Sequence, residues 1–275
     1  MSLVNGRWCK SLSARDRGIH YGDGVFETMA VQHGEPLCLD RHLARLERGC
    51  RRLAIPVPGR LGLLQEIGEM CSGVEQGVLK VIVTRGEGGR GYTPAQGSPT
   101  RVLIPYPWPV YPAHYWQDGI VACVCHVRLG RNPWLAGIKH LNRLEQVLAR
   151  RECDDARVPE GLMLDAEGWV IEGTTSNLFI VKGGQLRTPQ LSHCGVEGTI
   201  RGLVIDLVRA QDWLPVSVAG ILLPEVLRAD EVFLCNSIFG IWPVVGIGEQ
   251  HFDIGSITRH LQQELVRSRA IVAVG

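Results

Sequence analysis

The chain has 275 residues, 45% of them hydrophobic, with 29 basic against 28 acidic side chains. That length buries a sizeable core without staples and points to one large or two medium domains. The near-neutral balance gives no basis for a nucleic-acid or anionic-membrane surface, which leaves small molecules or proteins as partners.

The N-terminal "MSLVNGRWCKS" lacks the basic segment and apolar run of a signal peptide, and no apolar stretch reaches membrane-spanning length, so a cytoplasmic protein is expected. "FETMAVQHG" (26–34) reads as a strand, "LDRHLARLERGCRRLA" (39–54) as an amphipathic helix and "GVLKVIVTRG" (77–86) as a second strand. Five prolines in "SPTRVLIPYPWPVYPAH" (98–114) argue against a helix or central strand there. The division expected is an N-terminal α/β domain over 1–106, a linker over 107–117 and a mixed α/β domain over 118–275. In the latter, "GIVACVCHVRL" (119–129) reads as a strand and Asn142 to Ala156 as a helix, followed by short strands with glycine turns over 160–189. Helical patterning returns at Ile200 to Gln211, Glu225 to Ala229 and Ile257 to Ala270, with Ser256 as N-cap of the last.

Nine cysteines, an odd number, lie mostly in apolar runs and form no C-x-x-C pair. Neither a disulfide framework nor a zinc site is expected, and no metal; Cys123 and Cys125 read as core or face residues of a strand in a reducing compartment.

Four stretches carry candidate chemistry. "GEGGRG" (86–91) matches G-x-G-x-x-G, but "YTPAQGSPT" follows it with two prolines and no helical period, so a dinucleotide fingerprint fails on context. It reads as a plain hairpin or as a loop presenting Arg90 and Tyr92. "GVEGTIRGLVIDLVRAQ" (195–211) delivers the chain through glycines into a helix whose first N–H groups, Thr199 and Ile200, make an anion seat. "VIEGTTSNLFIV" (170–181) places Glu172 beside Thr174, Thr175, Ser176 and Asn177, and "GIKHLNRLEQVLAR" (137–150) sets Lys139 just ahead of a helix. Any one of these has an ordinary structural reading. Together, a lysine able to form an imine, an anion seat and a carboxylate are what pyridoxal phosphate needs.

The chain also resembles a known family. "HYGDGVFET" (20–28), "HLARL" (42–46), "GIKHLNRLEQVLAR", "EGTTSNLF" (172–179), "EGTIRG" (197–202) and "CNSIFGIWPV" (235–244) recur in this order in the class IV pyridoxal-phosphate enzymes. These comprise branched-chain and D-amino acid aminotransferases and aminodeoxychorismate lyases. The lyase branch is the nearest in Thr28, "TRGEGGRGY" (84–92) and "NPWLAGIKHLNRLEQVL" (132–148). The resemblance implies a two-domain α/β (α+β) chain of fold-type IV, like D-amino acid aminotransferase, that acts as a homodimer on a small molecule. It implies Lys139 as the Schiff-base lysine and Glu172 as partner of the pyridine nitrogen. Arg45, Thr199, Ile200, Asn236 and Ser237 would surround the phosphate, with Ser176 and Asn177 also at the cofactor. Thr28 would serve as the lyase hydroxyl, and Tyr21, Arg90, Tyr92 and Arg128 would meet the substrate. The activity implied is conversion of 4-amino-4-deoxychorismate to 4-aminobenzoate and pyruvate in folate biosynthesis. An aminotransferase for D-amino or branched-chain amino acids is the alternative, and a non-catalytic cofactor-binding protein the more distant one. One departure stands out: branched-chain aminotransferases carry a tyrosine shortly after the lysine, and "KHLNRLE" has none, leaving Asn142 or Arg143 for that contact.

Overall fold

Alternating apolar residues build one face of a six-stranded sheet in the first of two compact units, Met1–Val110 with Ile138–Asn142. The computed structural model describes residues 1–94, 97–153 and 157–272. The unit contains β1 (Ser2–Val4), β2 (Arg7–Cys9), α1 (Arg17–Tyr21), β3 (Gly24–Gln32), β4 (Glu35–Pro36), α2 (Leu39–Arg52), α3 (Arg60–Cys71), β5 (Gln76–Thr84) and β6 (Thr100–Pro107). Strand order is β2-β1-β6-β5-β3-β4. β3 and β5 pair antiparallel from Gly24↔Thr84 to Gln32↔Gln76.

Leu39, Leu43, Leu46 and Cys50 fall on one stripe of α2 and pack with Val25, Met29 and Val31 of β3. α3 is not among the predicted elements; Gly62 and Gly68 dilute its pattern, yet Leu63, Ile67 and Met70 are buried in the same core. β6 is a strand despite Pro105 and Pro107. β1 pairs with it only through Val102 and Leu103, so both prolines lie where β5 alone is the neighbour. The short segment bearing Lys139 runs along β3: Phe26 N–H donates to Lys139 O at 2.9 Å and Leu141 N–H to Gly24 O at 3.0 Å.

The second unit, Tyr111–Gly137 with Arg143–Gly275, contains α4 (His114–Gln117), β7 (Ile120–Leu129), α5 (Leu144–Glu152), β8 (Glu160–Asp165), β9 (Val170–Gly173), β10 (Asn177–Lys182) and β11 (Gln185–Pro189). It continues with α6 (Thr199–Gln211), β12 (Val216–Ala219), α7 (Leu223–Val226), β13 (Glu231–Asn236), β14 (Gly240–Ile247), β15 (Gln250–His251) and α8 (Ser256–Arg267). Its sheet runs β12-β11-β10-β13-β14-β7-β8-β9, with β15 paired to β14. Phe179 and Phe233, cross-strand partners on β10 and β13, stack at 5.0 Å in its interior. The fold is mixed α/β, as the sequence implied.

Several boundaries differ for physical reasons. The helix expected over 142–156 spans Leu144–Glu152, and its expected end at Ala156 lies outside the described residues. Ser256 is the first residue of α8, not its cap; Gly255 is the N-cap. The capping is done from a distance by Glu231, which accepts from Ile257 N at 3.2 Å, Thr258 N at 2.8 Å and Thr258 Oγ1 at 2.6 Å. The reading of the cysteines needs a larger correction: Cys123 on β7 and Cys153 at the end of α5 form a disulfide. A sequence separation of 30 residues shows no pattern; packing of α5 on β7 and β8, with Cys125, Ala149 and Met163 in one cluster, brings the sulfurs together. Among the described residues, no helix is long and apolar enough to cross a membrane.

Candidate active site

In the first unit the chemistry gathers on β3, whose two faces do different work. Phe26 and Thr28 share one face, and Thr28 pairs in register with Lys80 of β5. Lys139 Nζ lies 4.5 Å from the centroid of the Phe26 ring, and Lys80 Nζ lies 5.0 Å from the same centroid. Lys139 and Thr28 are both half-buried. Two lysine amines thus lie over one aromatic ring, with Thr28 on the same strand face, an environment suited to binding a carboxylate. Lys80 was not singled out in the sequence; its signal is a lone charge in the otherwise apolar "GVLKVIVT".

The opposite face of β3 carries Glu27, only 1% exposed, and it meets α2. Arg45 Nε donates to Glu27 Oε1 at 2.8 Å and Arg45 Nη2 to Oε2 at 2.5 Å, while His42 Nδ1 lies 2.6 Å from Oε2. Burial pushes the Glu27 carboxyl up, but the Arg45 charge and the hydrogen bonds from Arg45 and His42 outweigh it and hold the group at about 2. Burial likewise holds His42 below its ordinary value against the pull of Glu27, so the ring is neutral and donates Nδ1–H. Arg45, the residue expected at the phosphate, is therefore oriented by a bidentate buried partner.

Glu27→Gln should cost about 3–5 kcal/mol in urea unfolding at neutral pH, because it breaks a buried, bidentate ion pair with Arg45 by neutralising one partner. The pH dependence has a definite sign. The folded value, about 2, lies below the ordinary 4.5, so this stabilisation is complete above 4.5 and is lost as pH falls toward 2. The variant should lack that component of acid destabilisation; a loss under 1 kcal/mol would show that the pair is not structural.

The 86–94 loop is tied to α1. Arg17 Nη1 donates to Gly91 O at 2.9 Å, Arg17 Nη2 to Tyr92 O at 3.3 Å, and Gly91 N donates to Tyr21 Oη at 3.0 Å. Arg17 is fixed by Asp23 at 2.9 Å, and Asp23 also holds Arg85. A pocket of about 330 Å³ opens among Arg15, Arg17, His20, Tyr21 and Arg90. Tyr92 is exposed, with its ring 5.5 Å from that of Tyr21. Asn142 Nδ2 donates to Gly22 O at 3.2 Å.

In the second unit, Glu172 on β9 is 4% exposed, accepts from Val196 N at 2.8 Å and lies 3.4 Å from Gln146 Nε2 of α5. Val196 also anchors Asn177, whose Nδ2 donates to Val196 O at 2.8 Å. The same loop delivers Gly198, the N-cap of α6, where a Cβ would fall 2.0 Å from Asn177 Oδ1. Glycine is required by that close approach. With no side chain capping α6, the N–H groups of its first turn, beginning at buried Thr199 and Ile200, keep the positive end of the helix dipole. Arg201, the third residue of α6, adds a buried guanidinium that donates only to neutral groups in the described hydrogen bonds, Thr188 Oγ1 at 3.1 Å and Pro189 O at 2.9 Å. Burial lowers its pKa, with the Glu197 and Glu172 carboxylates acting the other way. An uncapped helix start, a buried cation and a buried carboxylate linked through one loop make a donor set that fits a phosphorylated cofactor with a basic ring nitrogen.

Glu160, absent from the sequence expectations, organises the hydroxyl-rich turn. It accepts from the Thr174 and Thr175 hydroxyls, from Thr174 N at 3.0 Å and from Ser176 Oγ at 3.0 Å. The Ser176 hydroxyl is thereby committed to Glu160, leaving Asn236 to close the turn: its Nδ2 donates to Thr175 O at 3.2 Å and its Oδ1 accepts from Ile238 N and Phe239 N. Ser237 lies within that Asn236 turn. Arg128 is exposed, its guanidinium turned onto the Cys125 and His126 carbonyls.

Comparison with known proteins places this architecture. Residues 24–247 match the amino-transferase class IV family. A curated aminodeoxychorismate lyase of Vibrio harveyi is 37% identical over 273 residues, covering 96% of this chain and 99% of that one. A putative branched-chain-amino-acid aminotransferase of Methanocaldococcus jannaschii is 32% identical, covering 95% and 93%. The crystal structure of 4-amino-4-deoxychorismate lyase from Pseudomonas aeruginosa superposes with a TM-score of 0.95 at 49% identity, covering 98% of this chain and 100% of that one. Matched along nearly its whole length in sequence and in fold, the chain belongs to the amino-transferase class IV family.

Proposed function

We propose that the chain is a pyridoxal-phosphate-dependent lyase that converts 4-amino-4-deoxychorismate to 4-aminobenzoate and pyruvate, a step of folate and 4-aminobenzoate biosynthesis. The observation that carries the reading is the arrangement on β3: Lys139 Nζ over the Phe26 ring, with Thr28 next along the same face. The two relatives of highest identity described above, both named as lyases of this substrate, support it.

When bound, pyridoxal phosphate supplies a ring that takes up the electron pair left at C4 of the substrate. The chain's own residues do the rest. Lys139 Nζ holds the cofactor at rest and removes the C4 proton during turnover. Thr28 Oγ1 passes a proton to the departing enolpyruvyl group, so that elimination leaves an aromatic ring. Glu172 keeps the ring nitrogen protonated. The α6 start at Thr199 and Ile200 holds the phosphate together with Arg45, Asn236 and Ser237, and Ser176 and Asn177 shape the turn beside it. Tyr21, Arg90, Tyr92 and Arg128 hold the two substrate carboxylates. In this reading the enzyme is a cytoplasmic homodimer with a small-molecule substrate and no nucleic-acid or membrane partner.

The test compares two activities of one preparation. Release of 4-aminobenzoate from aminodeoxychorismate should far exceed amino transfer from D-alanine to 2-oxoglutarate; the reverse order would make the chain an aminotransferase. Glu172→Gln should retain the cofactor but slow turnover, because an amide no longer stabilises a protonated ring nitrogen. Equal activity in that variant would reject the assignment of Glu172.

A further inference from the structure

Outside these residues, three sulfurs converge in the second unit. Cys123 and Cys125 stand two apart on β7 and so share a face, and Cys153 sits at the end of α5. Cys123 and Cys153 form the disulfide, and Cys125 Sγ lies 3.9 Å from Cys153 Sγ. All three sulfurs fall within 4.8 Å of one another. Facing them is Gly161 on β8. A Cβ added there would lie 2.5 Å from Cys153 Sγ, 2.6 Å from Cys125 Sγ and 3.0 Å from Cys123 Sγ. The three sulfurs therefore pack together against Gly161, where any side chain would displace them. Cys125 and Cys153 are buried, while Cys123 is half-buried.

We propose that in the reduced chain Cys123, Cys125 and Cys153 bind one soft, thiophilic metal ion of the Zn²⁺ type, the disulfide being the closed, metal-free state of the same cluster. The ligand type fits, because thiolate sulfur selects soft and borderline cations over Mg²⁺ or Ca²⁺. The spacing fits as well: Zn–S bonds of about 2.3 Å in a tetrahedral shell set sulfurs roughly 3.8 Å apart, and Cys125 and Cys153 are 3.9 Å apart. Opening the site is a two-electron step. Two monothiol molecules such as glutathione give up two electrons and two protons, becoming a disulfide, while Cys123 and Cys153 become thiols. Metal binding then expels the thiol protons as three metal–sulfur bonds form, and water fills the fourth position on the Cys123 side. In either state the end of α5 is fastened to β7.

The test uses the full chain, loaded with pyridoxal phosphate and reduced with a phosphine in the absence of oxygen. Cd²⁺ is titrated in, and its thiolate charge-transfer absorbance is followed in the ultraviolet. The signal should saturate at one Cd²⁺ per chain and be reversed by excess Zn²⁺. Cys125→Ser should weaken Cd²⁺ binding by at least about tenfold. Gly161→Ala, which keeps every thiol but whose methyl group would push all three sulfurs aside, should abolish saturable binding. Chain oxidised with glutathione disulfide should bind none. Failure of the reduced chain to saturate at one equivalent overturns the proposal, as does undiminished affinity in Cys125→Ser. Circular dichroism checks both variants; if Gly161→Ala does not fold, Cys125→Ser decides alone.

Discussion

Lys139→Ala is expected to bring lyase turnover down by about 10⁴-fold or more, to background. A single truncation removes both the amine that holds the cofactor and the base that takes the C4 proton, and groups acting as one unit do not substitute for each other. The structural cost should be small by comparison. Lys139 is half-buried, and the bond from Phe26 N to Lys139 O that ties the segment to β3 uses the backbone, which alanine retains. The variant should therefore fold and melt close to the unaltered chain while losing turnover. Borohydride reduction supplies the second readout: in the unaltered chain it should fix the cofactor to the peptide containing Lys139, and in the variant to none. Labelling at Lys80, which shares the Phe26 ring, would mean that the two lysines have been assigned the wrong way round.

Thr28→Gly should lower kcat by ~10²- to 10⁴-fold with cofactor uptake unchanged. The hydroxyl is the only polar group lost. Lys139, Glu172 and the start of α6 keep their chemistry, so the resting spectrum should survive. Glycine also weakens a strand interior, which would show as a lower melting temperature. Thr28→Ser separates the two effects, because it keeps the hydroxyl and drops only the methyl. Serine should recover most of the activity; equal loss in both variants would assign Thr28 to packing instead.

Local pattern made much of the scaffold legible. The alternation in "FETMAVQ" and the stripe Leu39, Leu43, Leu46, Cys50 each encode one buried face, and β3 and α2 follow them. What escaped were groups whose meaning depends on distant partners. Glu27 carries no signal of its role until α2 brings His42 and Arg45 onto it from 15 and 18 positions away. Glu160 and Glu231 are similar: each is a buried carboxylate that satisfies backbone N–H groups far along the chain. Pro105 and Pro107 signalled a broken strand because a sequence does not reveal where the neighbouring strand ends. The disulfide was hidden for the same reason, since no spacing rule joins Cys123 to Cys153. At the candidate site, Lys139 and Glu172 stood out through their motifs, whereas Lys80 and Arg201 emerged only with the register of β3 on β5 and the burial of the first turn of α6.

The most direct measurement is product stoichiometry with 4-amino-4-deoxychorismate and no added oxo acid. A lyase needs no amino acceptor, so the holoenzyme should release 4-aminobenzoate and pyruvate in equal amounts over many turnovers. If turnover instead stops after one equivalent and resumes only when 2-oxoglutarate is supplied, the chain transfers amino groups and the lyase account is contradicted.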